Sequence, residues 1–189
     1  MRRPNQIFQT KSGLTGTIAT ARGRDAKSLQ TFRRALHSAA KHLNASAVEA
    51  HEGWWDVYST LRRLQNDPKS MIGVARLAGR IVGEVQVRGA RYRRLQHDVR
   101  LGLGVHHDFT QQGIGAALLS YAIEAMQSAE GVKRISLAVH GDNIAAQHLY
   151  RKAGFAQEGR RKGAIGPIDA RNDVVVDEIL MALYLDDKG

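Results

Sequence analysis

Apolar positions along this chain change period several times, and each change marks an element. Residues 15–22 (TGTIATAR) alternate and are rich in β-branched side chains, which predicts a strand. From Asp25, a candidate N-cap, Leu29, Phe32, Leu36, Ala39 and Leu43 recur at helical spacing and predict a helix over residues 26–43. Residues 49–55 read as a connector punctuated by Gly53. Trp55, Tyr58, Leu61 and Leu64 then line one side of a second helix over residues 56–64, which stops before the turn signal Asn66-Asp67-Pro68. Residues 70–77 and 80–87 are strands on either side of Ala78-Gly79, an antiparallel hairpin. Residues 1–13 read as a flexible arm, and residues 14–189 as one domain.

The centre of the pattern is residues 99–155. An apolar run at 99–105 stops at Gln111-Gln112-Gly113-Ile114-Gly115, and a helical face follows at Leu118, Leu119, Ala122, Ile123 and Met126. A second apolar run at 135–139 leads to a short helix ending at Gly154-Phe155. Residues 163–172 (GAIGPIDARN) predict a loop, and residues 173–185 a long last strand. The order β-α-α-β-β-β-α-β-α-β-β is that of a mixed α/β sheet flanked by helices. A strand that turns through glycines into a helix aims several N–H groups, and the positive end of the helix dipole, at one place. That place suits an anion, most naturally a phosphate.

Competing phosphate motifs do not fit. A dinucleotide fingerprint needs a third glycine where Leu118 stands and an acidic residue after the next strand, which here ends in Val139-His140. The G-x-x-x-x-G-K-[ST] loop is absent.

Composition narrows the class. The chain has 189 residues, 43% hydrophobic, enough for one domain with a real core. No apolar run approaches the ~20 residues of a membrane span, and the N-terminal residues lack the apolar segment of a secretory signal. Without cysteine there is no disulfide, no thiolate nucleophile and no Cys-ligated metal, which fits a cytoplasmic setting. The net charge of +10 is uneven: residues 1–100 hold 19 Lys and Arg against 7 Asp and Glu, residues 101–189 hold 9 against 11. The peak at Arg88–Arg94 carries a single aromatic, Tyr92. It reads as a solvated connector rather than a nucleic-acid surface. His106, His107 and Asp108 raise the question of a metal. Adjacent side chains at a strand end point to opposite sides, so no metal site is expected.

Several spaced strings together carry a resemblance. They are Leu101-Gly102-Leu103-Gly104-Val105, Asp108-Phe109, Gln112-Gly113-Ile114-Gly115-x-x-Leu118-Leu119, Ile135-x-Leu137-x-Val139, Asn143-x-x-Ala146, Leu149-Tyr150, Gly154-Phe155, Glu158-Gly159 and Val176-Asp177-x-x-x-Met181. In this order they resemble the acyl-CoA-binding core of the GNAT superfamily of N-acetyltransferases, over about half the chain. The tail resembles bacterial enzymes that acetylate amino acids or other small amines.

The resemblance implies a mostly antiparallel sheet with a splayed central strand pair, acetyl-CoA as co-substrate, and no metal. Leu103, Gly104 and Val105 would pair with the pantetheine through their backbone. Gln111 belongs to the same turn, and the amides of Gln112, Gly113, Ile114, Gly115 and Ala116 would hold the pyrophosphate. Asn143, with Ala146, would hold the pantetheine arm. Spacing alone makes Tyr150 a core aromatic; the resemblance places it near the sulfur as proton donor to the thiolate. His97 matches a histidine of relatives with this tail and is the expected base, with Glu84 and Asp98 as rivals. Two positions depart from the family pattern: Thr110 stands where Arg or Gln is usual, and Arg100 stands near a usual Glu.

The expected reaction is direct transfer of acetyl to a primary amine of a small molecule. A protein- or ribosome-directed transferase and a non-catalytic acyl-CoA-binding module are the alternatives. Neither nucleic acid nor membrane is an expected partner; a homodimer is common in the family.

Overall fold

The computed structural model describes residues 4–39, 42, 52–167 and 174–185. The expected helix end at Leu43, the start of the connector before Glu52, and residues 168–173 of the expected loop and last strand lie outside the described residues. Among the described residues, eight strands form one sheet in the order β1-β2-β3-β4-β5-β6-β8-β7. They are β1 (Gln6–Gln9), β2 (Thr15–Thr20), β3 (Met71–Leu77), β4 (Arg80–Gly89), β5 (Asp98–Val105), β6 (Arg134–His140), β7 (Ala156–Ile165) and β8 (Val176–Tyr184). The helices are α1 (Ala26–Ala39), α2 (Trp54–Leu64), α3 (Ile114–Gln127) and α4 (Ile144–Lys152). Every neighbouring pair is antiparallel except β5 with β6. Among the described residues, no helix is long and apolar enough to cross a membrane.

One expectation changes at the N-terminus. Residues 6–9 are a strand within the expected arm, paired antiparallel with β2. Four residues are too few to display an alternating period. The strand is held instead by Phe8, which is buried and opposes Gly16 in register. A Cβ on Gly16 would lie 2.5 Å from the Phe8 ring, so the ring fills the space a side chain would take. Asp25 also acts differently from an N-cap: it accepts a hydrogen bond from the Arg22 N–H (2.8 Å) inside a short 3₁₀ turn that feeds α1. The β3–β4 hairpin forms as expected, because Ala78 (φ 47°) and Gly79 (φ 79°) both take the left-handed conformation that a tight hairpin needs.

The helices cover opposite faces. Leu29, Phe32 and Leu36 of α1 and Val57 and Leu61 of α2 pack on Ile72, Val74 and Ile81. Leu118, Leu119, Tyr121 and Met126 of α3 and Tyr150 of α4 pack on the other face. Each such apolar side chain contributes about 1.5–3 kcal/mol by leaving water.

The feature that positions the site is the short register of β5 with β6. Only Asp98↔Arg134, Val99↔Ile135 and Arg100↔Ser136 pair. Both strands continue, each with its outer neighbour: β5 reaches Val105 against Gly83, and β6 reaches His140 against Glu178. The sheet is therefore split between Leu101–Val105 and Leu137–His140.

Candidate active site

The split ends at the glycine turn. Gly113 is the N-cap of α3 with φ +86°, and Gln111 also has a positive φ of 59°. These two left-handed positions, on either side of Gln112, reverse the chain from β5 into α3 within a few residues. The first N–H groups of α3, from Ile114 to Ala116, have no acceptor within their own helix and face outward at its positive end. A Cβ on Gly113 would meet nothing within 4 Å, so the space beside the turn at the head of α3 is open. One on Gly115 would touch Leu149, Leu103 and Val105 at 3.3 to 3.8 Å, so β5, the turn and α4 abut here. Gln112 is committed elsewhere: its carbonyl and side-chain oxygens accept the N–H groups of Lys11 and Ser12, both at 3.2 Å.

The second β-to-α passage mirrors the first. Asn143 caps α4, with Oδ1 accepting from the Ala146 N–H at 3.1 Å. One turn beyond Ala146, Tyr150 is buried, its ring 5.7 Å from that of Phe155. Burial pushes the Tyr150 phenol up to about 12, so it is protonated at neutral pH.

A charged cluster lies on the α1 face, opposite Tyr150. Glu84 of β4 is buried and stands in register with Gly104. Arg33 of α1 donates from Nε to both Glu84 oxygens (3.3 and 3.1 Å) and from Nη1 to Glu52 (2.6 Å). Gln86 Nε2 donates to Glu84 at 3.1 Å. Burial works against the Arg33 charge, but Glu84 and then Glu52 outweigh it and raise its pKa, so Arg33 remains a cation. Leu36, one turn on, lies over β5; a Cβ on Gly104 would come within 2.6 Å of it. The far wall of the same face carries His140 and Glu178. They pair in register, and Glu178 is held by Arg161. Burial, and then His42, lower the His140 pKa, while Asp142 acts in the opposite direction.

The structure does not bring every expected residue here. His97 is exposed in the turn before β5, where its carbonyl accepts from Lys133 and Arg134. That is the closed end of the strand pair, about 20 Å from Leu103 at the rise of an extended strand. Asp98 pairs with Arg134 at the same end. Of the three expected bases, only Glu84 stands beside the split. The sequence signal for it was a lone carboxylate inside the apolar run IVGEVQV. Arg33 was missed, although it falls on the buried stripe of α1 between Leu29 and Leu36.

His106 and His107 also differ from expectation. The chain leaves the strand at Val105, so strand alternation no longer applies. The rings stack 4.3 Å apart, and one atom each of His106, His107 and Asp108 lie within 4.8 Å of one another. His107 and Asp108 are exposed, and His106 Nδ1 already accepts the Asp108 N–H. Trp54 and Trp55 stack at 4.1 Å at the start of α2, with the Lys27 ammonium 5.3 Å from the Trp54 ring. Arg91, Tyr92, Arg93 and Arg94 are exposed.

Comparison with known proteins fits this geometry. Residues 33–155 match the model of the acetyltransferase (GNAT) family. An L-amino acid N-acetyltransferase of Escherichia coli strain K12 is 32% identical over 64% of this chain and 72% of its own. A ribosomal protein bS18-alanine N-acetyltransferase of the same strain is 32% identical over 39% of this chain and 49% of its own. The chain thus spans roughly half to three quarters of the length of the curated relatives it matches. A GNAT-family acetyltransferase of Streptococcus pneumoniae has the same fold, with a TM-score of 0.84 at 24% identity over 90% of this chain and 99% of its own. The yncA protein of Salmonella typhimurium, solved with its cofactor acetyl-CoA, superposes with a TM-score of 0.80 at 16% identity over 92% and 96%.

Proposed function

Because the chain belongs to the acetyltransferase (GNAT) family, we propose that it transfers an acetyl group from acetyl-CoA to a primary amine of a small molecule. The observation that carries this reading is the split between β5 and β6, which opens after Arg100↔Ser136 and runs to the N-terminus of α3. The pantetheine lies in the split, pairing with the free backbone edge of Leu103–Val105 as an added strand does. The pyrophosphate rests on the N–H groups of Gln112 to Ala116, in the open space before Gly113.

The two faces divide the chemistry. The amine arrives on the α1 face, where Glu84 takes its proton directly or through water. The nitrogen adds to the thioester carbonyl, whose oxygen is held by a backbone N–H of β5. The C–S bond then breaks, and the thiolate leaves toward α4, where the Tyr150 phenol donates a hydrogen bond to it and water supplies the thiol proton afterwards. Asn143 fixes the start of α4 and hence the depth of Tyr150. The acetyl group passes directly from sulfur to nitrogen with no acyl-cysteine between, because the chain has no cysteine to carry it.

The amino-acid-directed relative from Escherichia coli supports a small acceptor. The bS18-alanine relative supports a protein N-terminus instead, and the exposed Arg91, Arg93 and Arg94 suit docking on ribosomal RNA. Titration with acetyl-CoA, followed by free-thiol release with amino acids and with N-terminal peptides, tests the proposal. Binding of acetyl-CoA with turnover of free amino acids supports it. Turnover of peptides alone, with RNA binding that falls steeply with salt, supports the protein-directed reading.

A further inference from the structure

We infer that Arg33 is the receptor for a carboxylate on the acceptor, and that the acceptor is an α-amino acid whose carboxylate displaces Glu52. This inference rests on the acyl-transfer reading above and names its substrate class.

The guanidinium of Arg33 is unevenly used. Nε is committed to both oxygens of Glu84 and Nη1 to Glu52, while Nη2 is buried with no acceptor among the described residues. The Arg33 side chain is only 9% exposed. A buried guanidinium donor without a partner is rare in a settled structure and marks a place where an acceptor oxygen belongs.

The two carboxylates around Arg33 are not equivalent. Glu84 sits in the middle of β4, is 8% exposed, and takes a further hydrogen bond from Gln86. It is a fixed counter-charge. The Glu52 side chain is 40% exposed and meets Arg33 through a single nitrogen. Its backbone carbonyl is held by Gln30 Nε2 at 2.8 Å, so the side chain can swing away without moving the main chain. An incoming carboxylate that replaces Glu52 can use Nη1 and Nη2 together, fork against fork. One anion leaves as another arrives, so the charge of the cluster is unchanged and the orphaned donor is satisfied.

The geometry selects an α-amine. Arg33 and Glu84 are in direct contact, and Glu84 stands opposite Gly104 at the edge of the split. A carboxylate on Arg33 therefore leaves room for the reacting nitrogen only a few bonds away, facing Glu84. An α-amino acid has this span. A polyamine brings no carboxylate, and the α-amine of a peptide N-terminus has its neighbouring carboxyl tied up as an amide.

The test compares each amino acid with its amide in free-thiol assays, after acetyl-CoA binding has been measured on the same preparation. In the unmodified protein the acid exceeds the amide in kcat/KM by about tenfold or more, as expected where a buried polar group is built for the missing atom. Glu52→Gln lowers KM for the amino acid, because it removes the competing carboxylate. Arg33→Gln collapses the acid-over-amide ratio toward one. If that variant does not fold, the first two measurements decide. Equal turnover of acid and amide, or a raised KM in Glu52→Gln, overturns the inference. If acetyl-CoA binds and amines are acetylated without regard to a carboxylate, the acyl-transfer reading stands and this one falls. If acetyl-CoA does not bind, both fall.

Discussion

Replacing Tyr150 by Phe removes one oxygen from the leaving-group side of the site. The ring should remain in place, because it is buried and packs against Phe155 at 5.7 Å. Stability should shift by less than about 1 kcal/mol. The effect on turnover follows from the phenol's acidity. Burial holds it at about 12, whereas an ordinary thiol titrates near 8.5. Handing the proton fully to the thiolate would be uphill by about 3.5 units, roughly 5 kcal/mol. In the proposed mechanism the phenol therefore acts as a hydrogen-bond donor to the growing negative charge on sulfur, and the proton reaches the sulfur from water later. A hydrogen bond to a charged group contributes about 1.5–3 kcal/mol, so Tyr150→Phe should lower kcat by about ten- to hundredfold. The assay is free-thiol release at saturating acetyl-CoA, beside a calorimetric Kd and a thermal midpoint. The Kd should stay within about threefold, since the hydroxyl acts on charge that develops only during transfer. The sign of the pH effect is equally definite: a phenol at about 12 keeps its proton through the alkaline range, so it puts no falling limb on the rate below pH ~10. Unchanged kcat in the Phe variant would remove Tyr150 as the donor to sulfur, and a falling limb near pH 8 that disappears with the hydroxyl would contradict its raised pKa.

Gly113→Val should weaken acetyl-CoA binding by about tenfold or more, because the side chain fills the open space beside the turn at the head of α3 and strains a φ of +86° by about 1–3 kcal/mol; a folded variant with unchanged Kd counts against the turn as the phosphate site. Glu84→Gln should lower turnover by about a hundred- to ten-thousandfold and stability by about 1–3 kcal/mol, since Arg33 loses its fixed counter-charge; turnover equal to the parent's would remove Glu84 as the base. His140, whose folded pKa is lowered, binds its proton more readily in the unfolded chain. Its contribution is fully present above about 6.5 and is lost as pH falls through that value toward the folded one. Thermal midpoints of the parent should therefore drop on acidification below about pH 6.5, and those of His140→Gln should drop less; identical pH profiles would contradict this.

The parts of the site that repeat a local rule were legible in the chain. The change from alternating to helical spacing around Gly113-Ile114-Gly115 located both β5 and the start of α3, and Asn143 before an apolar helix located α4. The split between β5 and β6 is a matter of non-local register and came only from the resemblance; nothing in the spacing of residues 99–105 says where pairing with residues 134–136 stops. His97 illustrates the same limit. It lies one residue before β5, at the end where β5 and β6 are still paired and away from the split. Arg33 and Glu84 are 51 positions apart in sequence, and Glu52 lies between them. Their convergence depends on α1 crossing β4, which Leu36 and Gly104 permit by close approach. The sign available in the sequence is a charged residue inside each of two apolar patterns, Arg33 in α1 and Glu84 in β4.

In the proposed function the split sheet and the glycine turn hold acetyl-CoA. Calorimetric titration of the full chain with acetyl-CoA, beside NAD and ATP, tests it most directly. Saturable one-to-one binding of acetyl-CoA in the micromolar range is expected, with no comparable heat from the other two. A folded protein that takes up none of the three, or binds NAD or ATP in place of acetyl-CoA, would contradict it.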